Sequence, residues 1–157
     1  MRRAIRRTPE GDFELHLSSE ERGLLRALPR QLRSLLEEEA ADPTLRRLFP
    51  PAYEDAGAEA EYRRLMQGEL ASRHRQALVV LEQTADRDRL RDEEVHAWLA
   101  ALNDLRLVLG TRLDVTEDLY EQELDPDGHG TAELGVFLYL TWLQEQFVEA
   151  AAGLPLS

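Results

Sequence analysis

Apolar positions along the chain follow two periods. Over residues 13–17 they alternate, with Phe13, Leu15 and Leu17 on one side and Glu14 and His16 on the other, which is the pattern of a half-buried strand. Arg3 to Thr8 can supply a partner strand, and Pro9, Glu10, Gly11 and Asp12 between them have turn chemistry. A short hairpin is predicted over residues 1–17. Two strands alone are marginal, so it has to pack on helices.

From residue 18 the spacing changes to three and four. Ser18 and Glu21 stand at capping-box distance, and Leu24, Leu25, Leu28, Leu32, Leu35 and Leu36 then form one stripe. Pro29 lies inside that stripe and is expected to kink or split the helix. Asp42 and Pro43 read as the start of a short helical piece carrying Leu45, Leu48 and Phe49, ended by Pro50 and Pro51. A second long helix is predicted from about Ala58 to Thr84. Asp86 to Arg91 reads as a charged connector, and Asp92 as the cap of a third helix with its seam at Val95, Trp98, Leu102, Leu105, Leu109 and Leu113. Thr116 is expected to cap a separate short turn through Leu124, followed by a loop over Asp125–Gly130. The last helix is predicted from near Thr131 to about Ala152. Its apolar residues cover most of its circumference, so it is either central to the core or shared with a second subunit in a homodimer.

The expected architecture is therefore mostly α: one domain, 1–157, with a β-hairpin at 1–17 and a bundle of about four main helices at 18–157, packed around the Trp98 and Trp142 helices. A length of 157 residues suits one hydrophobic core, and 32% charged with 43% hydrophobic residues is globular composition. With no cysteine, these residues offer no disulfide framework, thiolate nucleophile, iron–sulfur cluster or thiol switch. No apolar run of about 7 to 15 residues follows the basic start, and none of about 18 occurs anywhere. A cytoplasmic protein without a membrane span is expected. The net charge of −12 repels nucleic-acid phosphates and anionic lipid over most of the surface and favours a protein partner with a basic face, although solubility explains the same charge.

Candidate chemistry sits where polar groups interrupt apolar seams. Asn103, Arg106 and Gly110 share a helix face beside Leu102 and Leu109, while Arg73 and His74 fall between Leu70 and Ala77. Buried charge needs a partner, so Arg73, His74, Asn103, Asp104, Arg106 and Arg112 form either an internal polar network, with Asp104 or Glu69 as the acid, or an anion pocket walled by Arg73, Arg106 and Arg112. Arg2, Arg3, Arg6 and Arg7 are the one strong basic cluster; a β-ribbon can enter a major groove, but no aromatic interleaves these arginines. Glu93 and His96 give a single Glu-x-x-His where a di-iron site needs two, so no metal is expected there. Glu123, Asp125 and Asp127 imitate a calcium loop that fails at its twelfth position, Leu134. No motif nominates a nucleophile, and neither catalysis nor a cofactor is expected.

The run from Trp98 to Leu113, with Asn103-Asp104-Leu105-Arg106 followed by Gly110-Thr111-Arg112-Leu113, carries a resemblance. Together with the basic hairpin and the Tyr139–Glu145 run, it resembles an uncharacterised actinobacterial family, domain of unknown function two-zero-one-seven. Genes of that family commonly sit beside the gene for ClpS, the adaptor of the Clp protease, and some members are labelled transcriptional or oxidative-stress regulators. The resemblance implies a non-catalytic regulatory or adaptor protein working through protein–protein contact in stress response or regulated proteolysis. A DNA-associated regulator using the hairpin and a small-anion sensor using the helix-borne arginines are the alternatives.

Overall fold

The computed structural model describes the backbone of residues 3–38, 48, 56–122 and 129–153, and their side chains apart from 37–38, 56, 58–69, 112–122 and 129–131. β1 (Ile5–Arg7) and β2 (Phe13–Leu15) pair antiparallel with Ile5 opposite Leu15 and Arg7 opposite Phe13. Thr8 N–H donates to the Asp12 carbonyl at 2.8 Å, and Gly11 turns the chain at φ 91°, a conformation that costs glycine little. The hairpin was legible; its third strand was not. β3 (Arg89–Leu90), inside the stretch expected to be a plain connector, pairs antiparallel with β2, placing Leu90 opposite Phe13 and Arg89 opposite Glu14. Ile5, Phe13, Leu15 and Leu90 all bury on the helix side of this sheet, and Arg6, Glu14 and Arg89 occupy its outer face.

α1 (Ser19–Glu38) starts on the capping box: the Glu21 carboxylate accepts from Ser18 N–H at 3.0 Å, and Ser18 Oγ accepts from Glu21 N–H at 3.1 Å. Pro29 does not split the helix. Leu25 precedes it and Leu32 and Leu36 follow, all buried, and on the same side Arg30 and Arg33 grip Glu82 of α2 while Arg26 pairs with Asp86 just beyond it. Anchors on both sides of the proline hold the helix continuous despite the missing backbone bond. α2 (Ala56–Thr84) begins two residues before the predicted start. The short helical piece expected after Asp42 lies outside the described residues except for Leu48, which is buried in a turn.

α3 (Asp92–Gln122) is continuous, so Thr116 caps no separate turn; neither glycine nor proline stands between Leu113 and Gln122 to stop the helix. Its cap also differs from expectation. Val95 N–H donates to the Arg91 carbonyl and the Glu94 carboxylate reaches back to Arg91 N–H at 2.9 Å, so Arg91, not Asp92, is the capping residue. α4 (His129–Ala151) takes in His129 and Gly130, which were expected in the preceding loop; the rest of that loop, 123–128, lies outside the described residues.

The helices pack in sequence, α1 on α2, α2 on α3 and α3 on α4, with the sheet set against α4 at one end. Trp98 is the largest fully buried side chain, its ring 5.5 Å from that of Phe147. Its indole N–H donates to Thr84 Oγ1 at 2.6 Å, and that hydroxyl donates on to the Val80 carbonyl at 2.6 Å. The helix carrying Trp142 buries Leu140, Leu143 and Phe147, while Trp142 itself is half-buried and stacks tilted on Tyr139, whose hydroxyl donates to Glu21 at 2.7 Å. No helix among the described residues is long and apolar enough to cross a membrane.

Thr84→Val keeps the shape of the side chain and leaves the buried indole donor without an acceptor. It should cost about 1–3 kcal/mol, read as a lower urea midpoint at unchanged slope.

Candidate functional site

His74, about two thirds of the way along α2, faces α3. Its Nδ1 lies 2.7 Å from Asp104 Oδ2 and its Nε2 lies 3.3 Å from the Leu48 carbonyl oxygen. The Asp104 side chain is 7% exposed and that of His74 20%. The hydrogen bond to Asp104 is the main influence raising the imidazole above its ordinary range; burial opposes it, and the Asp104 charge and the Leu48 carbonyl reinforce it. Protonated, the ring donates from both nitrogens at once, joining α3, α2 and the segment before α2. Neutral, it has one N–H and can serve one of those acceptors.

Arg106, two residues after Asp104, turns to the other side of α3. Its Nε donates to Thr141 Oγ1 at 3.0 Å, one terminal nitrogen donates to Gln144 Oε1 at 2.6 Å, and its guanidinium carbon sits 5.5 Å from the centre of the Phe137 ring. All three partners belong to α4 and none is charged. No ion pair engages Arg106 among the described residues. It lines a shallow groove of ≈ 360 Å³ with Thr141, Gln144, Glu145 and Val148.

The six residues read as one polar cluster are thus distributed over separate places. His74 and Asp104 meet; Arg106 is bound by neutral groups elsewhere; Asn103 and Arg73 are exposed, and the Arg112 side chain lies outside the described residues. Arg73 is not among the residues of the Arg106 groove. The reason is angular: Asn103 and Arg106 are three apart, yet the seam passes between Leu102 and Leu105, which leaves Asn103 outward and Arg106 at the α4 margin.

At the hairpin, a wider groove of ≈ 610 Å³ runs between β1 and the last turns of α4, lined by Arg3, Ile5, Arg6, Arg7, Gln146 and Glu149 among others. Arg7 donates to the Ala151 carbonyl at 3.0 Å and lies 5.7 Å over the Phe13 ring, so it caps α4 and is held in place. Arg3 and Arg6 are exposed, and no ion pair engages either among the described residues. Arg2 lies outside them. β3 adds Arg89 to the outer sheet face, but Glu14 stands between it and Arg6 and pairs with it at 3.3 Å.

Arg22 went unremarked in the sequence and proves central to the connector. Its guanidinium donates to the Ala85 and Arg87 carbonyls at 3.1 and 2.6 Å and to Asp88 at 3.0 Å, closing the C-terminal end of α2. Nothing local signals this, because those three partners lie more than sixty residues away, and its local bond, to the Leu17 carbonyl at 3.3 Å, does not point to them. His96 lies 3.5 Å from Asp92 rather than beside Glu93, and the described residues contain no group of three or more His, Asp or Glu placed to hold a metal ion. The calcium-like loop falls largely on residues 123–128, outside the described set.

The family model described as "Domain of unknown function (DUF2017)" matches residues 1–151. The chain belongs to this family. Among its relatives, the Mycobacterium leprae protein carrying the name AosR is 37% identical over 128 residues, 69% of this chain and 58% of that protein. The oxidative stress regulators AosR of Mycobacterium bovis and Mycobacterium tuberculosis are each 34% identical over 131 residues, 71% of this chain and 59% of theirs. The chain therefore spans about three fifths of the length of the curated relatives it matches. No solved structure matches it.

The His74 pair fixes a sign for pH dependence. Because the folded state raises this pKa, the stability it adds is fully present below the ordinary histidine value near 6.5 and is lost as pH rises through the folded value. His74→Asn should cost about 1–3 kcal/mol at pH 6, and the gap to wild type should narrow steadily toward pH 9. Denaturant midpoints of both proteins across that range test it, and a gap that widens with pH would contradict the bridging cation.

Proposed function

We propose that this chain is a non-catalytic regulatory protein of the stress response that acts by binding a protein partner, and that the arginine-walled groove beside β1 is where the partner docks. Support for the regulatory role comes from the family: relatives 34–37% identical over the aligned residues are named oxidative stress regulators. The observation that carries the docking surface is the state of its arginines. Most of the chain's described cations are spent on internal pairs, as Arg22, Arg26, Arg30, Arg33, Arg87 and Arg89 are, whereas Arg3 and Arg6 rim a groove with Ile5, Ala150 and Glu149 at its walls and engage in no ion pair among the described residues. On a molecule of net charge −12, such a place suits a segment that offers apolar contact with one or two carboxylates.

A DNA-associated regulator is the second reading, favoured by the arrival of Arg89 on the same sheet face as Arg6. Glu14 interrupts that face, and the surrounding charge repels phosphate, so the protein partner is the stronger reading.

The two readings separate on one pair of variants. In a strain lacking the gene, wild type should restore tolerance to oxidant, and Arg3→Glu with Arg6→Glu should lose that rescue by at least about tenfold at an unchanged melting midpoint, since exposed sites contribute little to stability. Full rescue by the double variant sinks the groove as a docking site. Oligonucleotide binding that collapses between 50 and 200 mM salt and vanishes in Arg89→Glu establishes the DNA reading instead.

A further inference from the structure

We propose that α4 pairs in parallel with the α4 of a second copy of this chain, along the face that carries Leu134, Thr141 and Val148. This surface borders the hairpin groove, with Glu149 lining the margins of both, and the pairing is inferred without reference to what docks there.

Leu134, Leu138 and Val148 are 45%, 56% and 54% exposed, the large apolar side chains that the fold leaves out of its core among the described residues. Leu134, Thr141 and Val148 are seven residues apart. At 3.6 residues per turn such positions drift by only about 20° per heptad, so the three make one line down the helix. Seven-residue spacing on an exposed face is the seam of a two-helix contact, and the line runs for about 21 Å at 1.5 Å per residue.

The flanks of the line differ, and the difference selects both the occupant and its direction. Leu138 and Glu145 stand on one side. On the other stand Phe137 and Gln144, with the Arg106 guanidinium laid over the ring of the first and bonded to the second and to Thr141. Under a two-fold axis parallel to the helices, each chain's Leu138 and Glu145 flank meets its partner's Phe137 and Arg106 flank. Apolar then meets apolar, and Glu145 meets a guanidinium. Neither Glu145 nor Arg106 is engaged in an ion pair among the described residues, so the pairing completes two groups and disrupts none. An antiparallel arrangement puts like flanks together, sets Leu138 against Glu145 and brings both Arg106 groups to one side, where they repel. Complementarity therefore specifies a parallel, self-complementary contact.

Cysteine numbers zero here, so each introduced thiol is unique. Sedimentation equilibrium of the full chain at about 100 µM, well above a micromolar Kd, should give twice the 18.0 kDa chain mass. Leu138→Glu, at an exposed position, should weaken association at least about tenfold with its melting midpoint intact. Arg106→Glu and Glu145→Arg should each self-associate poorly and recover a dimer when mixed, since only the mixture pairs opposite charges on both flanks. Leu134→Cys and Val148→Cys should each oxidise to a covalent homodimer. A wild-type monomer at that concentration overturns the proposal, as does a dimer that Leu138→Glu leaves unchanged. A disulfide that forms only between the two different cysteine variants overturns the parallel direction.

Discussion

The burial of one indole organises this molecule. Trp98 reaches full burial because Thr84, the last residue of α2, offers an acceptor to its N–H, and Thr84 in turn is satisfied by the Val80 carbonyl. That chain of bonds sets the end of α2 against the second turn of α3 and fixes where the residues between them must run. Arg22 of α1 then takes up the exposed carbonyls of the turn, and the chain emerges in position to lay Arg89 and Leu90 alongside β2. A hairpin that is marginal by itself becomes a three-stranded sheet because a helix–helix contact delivered the third strand.

Legibility followed the range of the interactions. The hairpin alternation around Phe13 and Leu15, the Ser18–Glu21 box and the three–four spacing of the leucines are local signals, and each marks a real element. β3 has two residues, too few to show a period, and its pairing is with a strand more than seventy residues earlier. Local rules allow Pro29 to split α1 and Thr116 to start a separate turn; tertiary anchoring keeps α1 continuous, and no following stop interrupts α3. At the candidate sites the sequence identified which polar residues interrupt apolar seams without showing which way each turns. Asp104 and Arg106 are two residues apart and face different helices, and the bonds from Arg106 to Thr141 and Gln144 span 35 and 38 positions. No spacing rule within one helix reaches that far.

Arginine use divides the molecule by task. Along the α1–α2 contact Arg30 and Arg33 share the Glu82 carboxylate; burial pushes that acid up, and the two guanidinium groups outweigh it and hold it below its usual range. These pairs join two helices and leave no charge for outside use. At the sheet end and along the α3–α4 margin the guanidinium groups are instead positioned by neutral partners: Arg7 by a helix-terminal carbonyl, Arg106 by a hydroxyl, an amide and a ring. A cation steadied by neutral groups keeps its charge on offer, which is the arrangement recognition surfaces require.

The clasp between the hairpin and the far end of α4 also governs the order in which this fold can be assembled. Gln146 accepts from the Ala4 amide and Ala151 from the Arg7 side chain, contacts that join positions 142 and 144 residues apart. On the ribosome the hairpin emerges ahead of α1 to α4 and must wait until α4 is translated before its partner exists. Helices α1 to α3, whose mutual contacts are nearest neighbours in the chain, can settle in the meantime. The hairpin's apolar side, Ile5, Phe13 and Leu15, therefore stays without its α4 cover until α4 has emerged, the interval in which a chaperone would find these residues most exposed.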